Sequence, residues 1–274
     1  MTTTLRPTGP LQQGADGAKA RTYDVCVNSR PVGSISLATH ETFGPRVCCV
    51  RDLRIAEPDR RRGRGVVAAL AAEEVARGWG CTRIEAAVPA TATAALRLAA
   101  ALGYVERSRQ MSKALGDEAP ALPEGTGRRP MTDAEYERWL TRTKERHARA
   151  WMDRGVPEAE AYAESDADHA RKLPRGPATP DVRLSVLTHH GDEVGTLWLS
   201  VADGEAYVYD VEVGAEHRGH GHGRSLMLVA QEQARAAGRD RMALNVFADN
   251  APALRLYESL GYEPATHFLC KPLH

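Results

Sequence analysis

The stretch TYDVCVNSRPVGSISLA, residues 22–38, alternates apolar and polar positions on either side of Asn-Ser-Arg-Pro at 28–31. A period of two broken by turn-forming residues predicts a β-hairpin. Residues 46–55 continue as a strand. The period then lengthens. Residues 63–77 read as an alanine-rich helix, 83–88 as a strand, 92–102 as a helix stopped by Gly103, and 108–115 as extended. The Pro- and Gly-rich run GDEAPALPEGTGRRP at 116–130 reads as a linker.

Beyond it, Thr132 and Glu135 form a capping box for a helix to about Arg154, and Pro157 opens another to about Lys172. The earlier order then returns. A strand leads to a turn at Gly191, and strands at 195–201 and 205–213 flank Asp203 and Gly204. A helix from about His222 to Ala237, a strand at 241–246, a helix at 250–260 and a last strand to Lys271 follow. Strands alternating with helices predict an α/β fold, here with a mixed sheet. The expected organisation is a flexible tail at 1–20, a first domain at 21–115, the linker at 116–130 and a second domain at 131–274.

The recurrence is a repeat. One shift of 158 residues (218 − 60) carries Arg60, Gly63 and Gly65 onto Arg218, Gly221 and Gly223. The same shift takes Arg77, Gly80 and Arg83 to Arg235, Gly238 and Arg241, and Leu102-Gly103-Tyr104 to Leu260-Gly261-Tyr262. No gap is needed from Asp52/Asp210 to Leu115/Leu273. The copies part at polar positions: Glu212 matches Arg54, Asn250 matches Ala92 and Tyr257 matches Ala99. The first copy keeps the framework and lacks these groups.

The bend HRGHGHGRS at 217–225 precedes an apolar helical run. A glycine-rich bend entering a helix exposes backbone N–H groups at the positive end of the helix dipole, which suits a phosphate. Gly221 and Gly223 leave room for close backbone approach, and Arg218, Arg224 and Ser225 can add charge and hydrogen bonds. No Gly-Lys-Ser/Thr ending marks a P-loop. Bend histidines His217, His220 and His222 lack a carboxylate or cysteine to complete a metal set, so no metal is expected.

Composition narrows the classes. Thirty-six basic residues balance 36 acidic ones, which argues against a nucleic-acid partner. No apolar run approaches the roughly 20 residues of a membrane helix. The first 20 residues lack an apolar signal core. Five scattered cysteines without C-x-x-C spacing suit a reducing compartment, so the expected location is cytoplasmic.

On the match of Arg218, Gly221 and Gly223 to R/Q-x-x-G-x-G/A, and of Asn250, Ala253, Leu256, Tyr257, Gly261 and Tyr262 to the signature that follows, residues 182–273 resemble a GCN5-related N-acetyltransferase (GNAT) domain. The helices at 131–172 resemble the family's first two, which line the acceptor pocket. Residues 22–115 resemble the same fold without its opening helices. The whole is similar to tandem GNAT proteins with a truncated, degenerate N-terminal half.

The resemblance implies roles. Coenzyme A would enter where the strand before the bend splays from its neighbour, its pantetheine arm on the backbone of Val211 and Val213. The diphosphate would sit on the amides of Gly219, His220, Gly221, His222, Gly223 and Arg224, with Asn250 on the pantetheine arm. Tyr257 would protonate the leaving thiolate, and Glu212 or Asp210, on one strand face, would be the general base. The expected activity moves an acetyl group from acetyl-CoA to a small-molecule amine by direct attack. The expected protein is a monomer or homodimer that meets neither nucleic acid nor membrane. A longer acyl-CoA, a carrier-protein thioester, and a non-catalytic CoA-binding scaffold are the alternatives.

Overall fold

A computed structural model of the chain describes residues 2–116, 121–153 and 156–274. Residues 117–120 of the expected linker, and the helix end expected near Arg154, lie outside the described residues. In chain order the elements are β1 (Thr3–Pro7), β2 (Gln12–Gln13), β3 (Lys19–Val27), β4 (Arg30–His40), β5 (Gly44–Ile55), α1 (Arg64–Gly78), β6 (Arg83–Pro89), α2 (Thr93–Ala101) and β7 (Val105–Ala114). Then come β8 (Thr126–Pro130), α3 (Asp133–Met152), α4 (Glu158–Lys172), β9 (Val182–His189), β10 (Asp192–Ser200), β11 (Ala206–Val213), α5 (His222–Ala236), β12 (Arg241–Phe247), α6 (Ala251–Ser259) and β13 (Glu263–Pro272).

Local chemistry accounts for the joints. Asn28 and Ser29 take φ of 48° and 67°, the left-handed pair that closes a two-residue hairpin between β3 and β4. The capping box forms as expected. Glu135 N–H donates to Thr132 Oγ1, and Thr132 N–H donates back to Glu135 Oε2 at 2.7 Å. Pro157 caps α4 from just outside it.

The chain divides into two compact units, 1–109 with 265–274, and 110–264. Unit 1 holds the strand order β1-β3-β4-β5-β6-β13. Its core lies under α1, where Val25, Ile35, Leu37, Cys48, Ala68, Ala72 and Ile84 are buried. Unit 2 holds β7-β12-β11-β10-β9-β8. Its larger core packs Leu197, Leu199, Leu226, Met227, Ala230 and Met242 between sheet and α5. A second cluster around Trp139 and Trp198 lies under α3.

These boundaries correct the expected ones. The 1–20 segment is not a tail, because Thr3–Pro7 pairs antiparallel with β3. Thr126–Pro130, within the expected linker, is an edge strand on β9. The second domain does not run to residue 274. Its last strand pairs antiparallel with β6 in unit 1, while the equivalent strand of the first repeat, β7, lies beside β12 and sends Met111 into the core of unit 2. The repeats have exchanged their final strands.

The exchanged strands make matching contacts, as repeat-related strands should. Leu273 N–H donates to Thr82 O at 2.8 Å in unit 1, and Leu115 N–H to Asp240 O at 2.7 Å in unit 2. Lys271 reaches Glu73 of α1 at 2.7 and 2.8 Å and lies 5.8 Å from the Tyr104 ring. In unit 2 the corresponding Lys113 reaches Gln231 at 3.4 Å and lies 6.0 Å from the Tyr262 ring. Each pair is separated by the same 158 residues (271 − 113).

Glu73 is 2% exposed, and the ammonium of Lys271 is its nearest compensating charge, with Arg77 further off at 3.9 Å. Lys271→Met should lower the unfolding free energy by about 3 kcal/mol, read by urea denaturation, and Lys271→Met combined with Glu73→Met should recover most of it.

Candidate active site

The site begins with one surplus residue. Along β10 and β11, Trp198 pairs with Asp210 and Leu199 with Val208, which leaves Tyr209 as a bulge. The parallel ladder of β11 with β12 covers only Ala206 to Val208 and stops there. Past the bulge the two strands part and their ends frame a cavity of about 570 Å3. Val211, Glu212, Val213, Asn245, Asn250 and Tyr257 line it. Val211 and Val213 turn their side chains toward the α5 core, so Asp210 and Glu212 share the opposite face.

At the same end of β11 the chain enters α5 through the bend. Gly219 and Gly221 take φ of 84° and 85°, a region closed to most side chains, and neither has an atom within 4 Å of the missing Cβ. Gly221 caps α5 with no side-chain hydrogen bond, so the first-turn N–H groups keep no protein cap. Gly223 has a different reason. A Cβ there would stand 3.2 Å from Leu256 Cδ2, so this glycine lets α6 pack on α5. Gly65 meets Leu98 in the same way at 3.0 Å in the first repeat.

Other side chains of the bend are buried or already partnered. Ser225 and His222 are buried in the first turn of α5. His222 stacks near His189 at 5.0 Å, and burial keeps its imidazole below the ordinary range. Arg224 donates to Ser259 Oγ at 2.7 Å, and Arg218 Nε to Val213 O at 3.3 Å. The side chains of His222 and Ser225 are therefore unavailable to a ligand, although the His222 amide is not. Among the described residues, no group of three or more His, Cys, Asp or Glu is arranged to hold a metal ion.

The carboxylates meet a partner that the sequence reading did not single out. Arg146 of α3 donates from Nη2 to Asp210 Oδ2 at 2.7 Å, and its Nη1 lies 2.7 Å from Glu212 Oε2. Asp210 is the deeper group, with a side chain 10% exposed against 30% for Glu212. Burial raises the Asp210 carboxyl above its usual range. Arg146 opposes that shift and the neighbouring Glu212 adds to it. Tyr257 is pushed up to about 12, first by burial and then by the charge of Asp210. His147, beside Arg146, lines the cavity and is held at about 3 by burial, so it stays neutral. Asn250 uses its Oδ1 to accept from Ala253 N–H at 3.2 Å, capping α6 at the cavity's edge.

Of the aromatic residues on α3 and α4, Trp139 is core, and Trp151 stands edge-on to Phe247 of the cavity wall at 5.7 Å. Tyr162 is exposed. Arg146 and His147 escaped notice because one helix in a chain rich in arginine does not reveal which of its faces meets β11.

The first repeat keeps the frame. Arg51 is its bulge, at the position of Tyr209, and its parallel ladder stops at Val50, the counterpart of Val208. Gly63 caps α1 at φ 72°. Where Gly219 stands in the second bend, Arg61 takes φ 57°. In place of Glu212 it carries Arg54, paired with Asp52 at 3.0 Å.

A bulged, splayed strand thus feeds a glycine-capped helix, with acids and a phenol in the opening. The Acetyltransferase (GNAT) family profile matches residues 5–104 and again 134–262. A mycothiol acetyltransferase from Beutenbergia cavernae is 34% identical over 220 residues, covering 74% of this chain and 70% of its own. A GCN5-related N-acetyltransferase from Sphaerobacter thermophilus shares the fold at TM-score 0.60 and 20% identity, over 92% of this chain and 81% of its own. A tandem GNAT protein from the clavulanic acid biosynthesis pathway does so at TM-score 0.52 and 22% identity, over 96% and 85%. The chain belongs to the GNAT family, carries two copies of its domain, and is an acyltransferase. No helix among the described residues is long and apolar enough to cross a membrane.

Gly221→Ala forces a Cβ into the left-handed region and should lower stability by about 1 kcal/mol, measured by chemical denaturation. Gly44→Ala, at φ 72° where β5 begins and with nothing within 4 Å of the missing Cβ, should cost a similar amount.

Proposed function

We propose that unit 2 transfers an acetyl group from acetyl-CoA to the amine of a small-molecule acceptor by direct attack on the thioester. The observation that carries this reading is the opening past Val208 and Leu244, where backbone, phenol and carboxylates of one cavity converge. The bend amides from Gly219 to Arg224 would hold the diphosphate, since the uncapped helix end and the space above two glycines leave them free. The strand edge at Val211 and Val213 would pair with the pantetheine arm, and Asn250 borders its course.

Glu212, the more exposed acid, takes the proton from the acceptor ammonium, and Asp210 lies behind it. The freed amine attacks the thioester carbonyl, the C–N bond forms, the C–S bond breaks with its electron pair left on sulfur, and the second proton shed by nitrogen passes to that thiolate. A backbone N–H near Val213 steadies the oxygen that gains charge. Tyr257 faces the departing sulfur. A phenol at about 12 lies further from an ordinary thiol near 8.5 than a free phenol does, so its first service is a hydrogen bond to the thiolate. The likeness to a mycothiol acetyltransferase supports a small-molecule acceptor. The first repeat, with Arg54, Ala92 and Ala99 at the three polar positions, serves as a non-catalytic partner.

Thiol release from acetyl-CoA over a panel of amines tests this reading. Tyr257→Phe should lower kcat by about 100-fold with the KM for acetyl-CoA little changed. Glu212→Gln should lower kcat/KM at neutral pH by at least about tenfold. Unaltered turnover in both variants, or none in the native protein, would count against the assignment.

A further inference from the structure

We propose that Arg146 is a positioning residue for proton removal: its guanidinium spans Asp210 and Glu212 and fixes the two carboxylates side by side at the acceptor end of the cavity. The inference rests on the acetyl-transfer reading of unit 2 and adds to it a group on a different element.

Two acids on one strand face, two residues apart, repel each other. Without a counter-charge the deeper one would take up a proton and turn from acceptor into donor. Arg146 removes that conflict with a separate nitrogen for each partner, both at 2.7 Å. Its Nη2 also donates to Thr143 Oγ1 at 3.4 Å, one turn back along α3, which anchors the fork. With both acids ionised, one guanidinium against two carboxylates leaves the trio a single net negative charge. That charge matches one acceptor ammonium and is cancelled when the proton moves onto Glu212.

The charged and titratable groups facing the trio come from every element around it. They are Arg142, Glu145, His147 and Arg149 on α3, Asp153 at its end, Tyr257 on α6, Asp249 just before α6, and Arg218 at the bend, with Arg149 paired to Glu145. His147 is neutral and Tyr257 protonated at working pH. Arg218 is turned to the carbonyl of Val213. Arg146 is the cation in contact with Asp210, and its loss should remove the largest influence that opposes burial there. Without Arg146 the Asp210 carboxyl binds its proton more tightly and donates it toward the neighbouring base Glu212, so the acid limb of the rate profile moves to higher pH.

The test measures kcat/KM for acetyl transfer from pH 5 to 9 in native protein, Arg146→Gln and Arg146→Lys. In parallel, carbon-13 NMR titrates the side-chain carboxyls, with Asp210→Asn assigning the Asp210 signal. In Arg146→Gln the limb should move up by about one pH unit, and the Asp210 signal should titrate correspondingly higher. Arg146→Lys restores the charge but not the fork, so the limb should return while kcat stays reduced. A limb and an Asp210 titration that both stay in place in Arg146→Gln overturn the proposal. If native protein acetylates no amine, the functional reading fails on its own, and the NMR titration still decides what Arg146 does to Asp210.

Discussion

Two strands can share a hydrogen-bond ladder only while their residues stay in step. In each repeat one surplus residue, Arg51 or Tyr209, breaks step at the same point, and the parallel ladder to the next strand stops one residue earlier. A bulge bends and twists its strand, so the edge beyond it separates from its neighbour instead of closing. The cavity of unit 2, the outward face of Asp210 and Glu212 and the path into α5 all depend on that interruption. The glycine bend then joins the separated strand to a helix whose first amides have no side-chain cap.

The two repeats show what the fold needs and what chemistry needs. Both keep the bulge, the left-handed cap at Gly63 or Gly221, and the small residue at Gly65 or Gly223 against a leucine of the following helix. Only the second has an acid, an amide and a phenol at the points where the opening would use them. The exchange of β7 and β13 follows from the same likeness. A strand that carries a lysine to the helix, and a terminal leucine whose N–H reaches the neighbouring loop, has matching partners in either sheet. Duplication thus made each unit dependent on a segment encoded in the other half.

Much of this was legible in the chain. Period-two and helical patterns, the capping box at Thr132 and the turn at Asn28 each depend on nearby residues, and they appear where local chemistry puts them. The repeat was legible because glycines such as Gly63 and Gly221 report backbone conformation, which a duplicated fold preserves. Strand partners are a different matter. Pairing is non-local, and since β7 and β13 satisfy the same contacts, no local feature says which sheet takes which. The edge strand at Thr126–Pro130 was hidden by its Pro and Gly neighbours. In the site, Tyr257, Glu212 and Asn250 stood out by contrast with their counterparts in the first repeat. Arg146 did not, because the first repeat has no helix to compare with α3. Burial of the Ser225 and His222 side chains was not legible, because the first turn of a helix has a buried side as well as an open one.

The most direct test of the account is an amide NMR titration of the full chain with acetyl-CoA. The account predicts that shifts concentrate at 211–213 and 219–224, with residues 53–55 and 61–66 of the first repeat unmoved. Saturable binding that shifts the first repeat's bend, or that leaves 219–224 untouched, would contradict it.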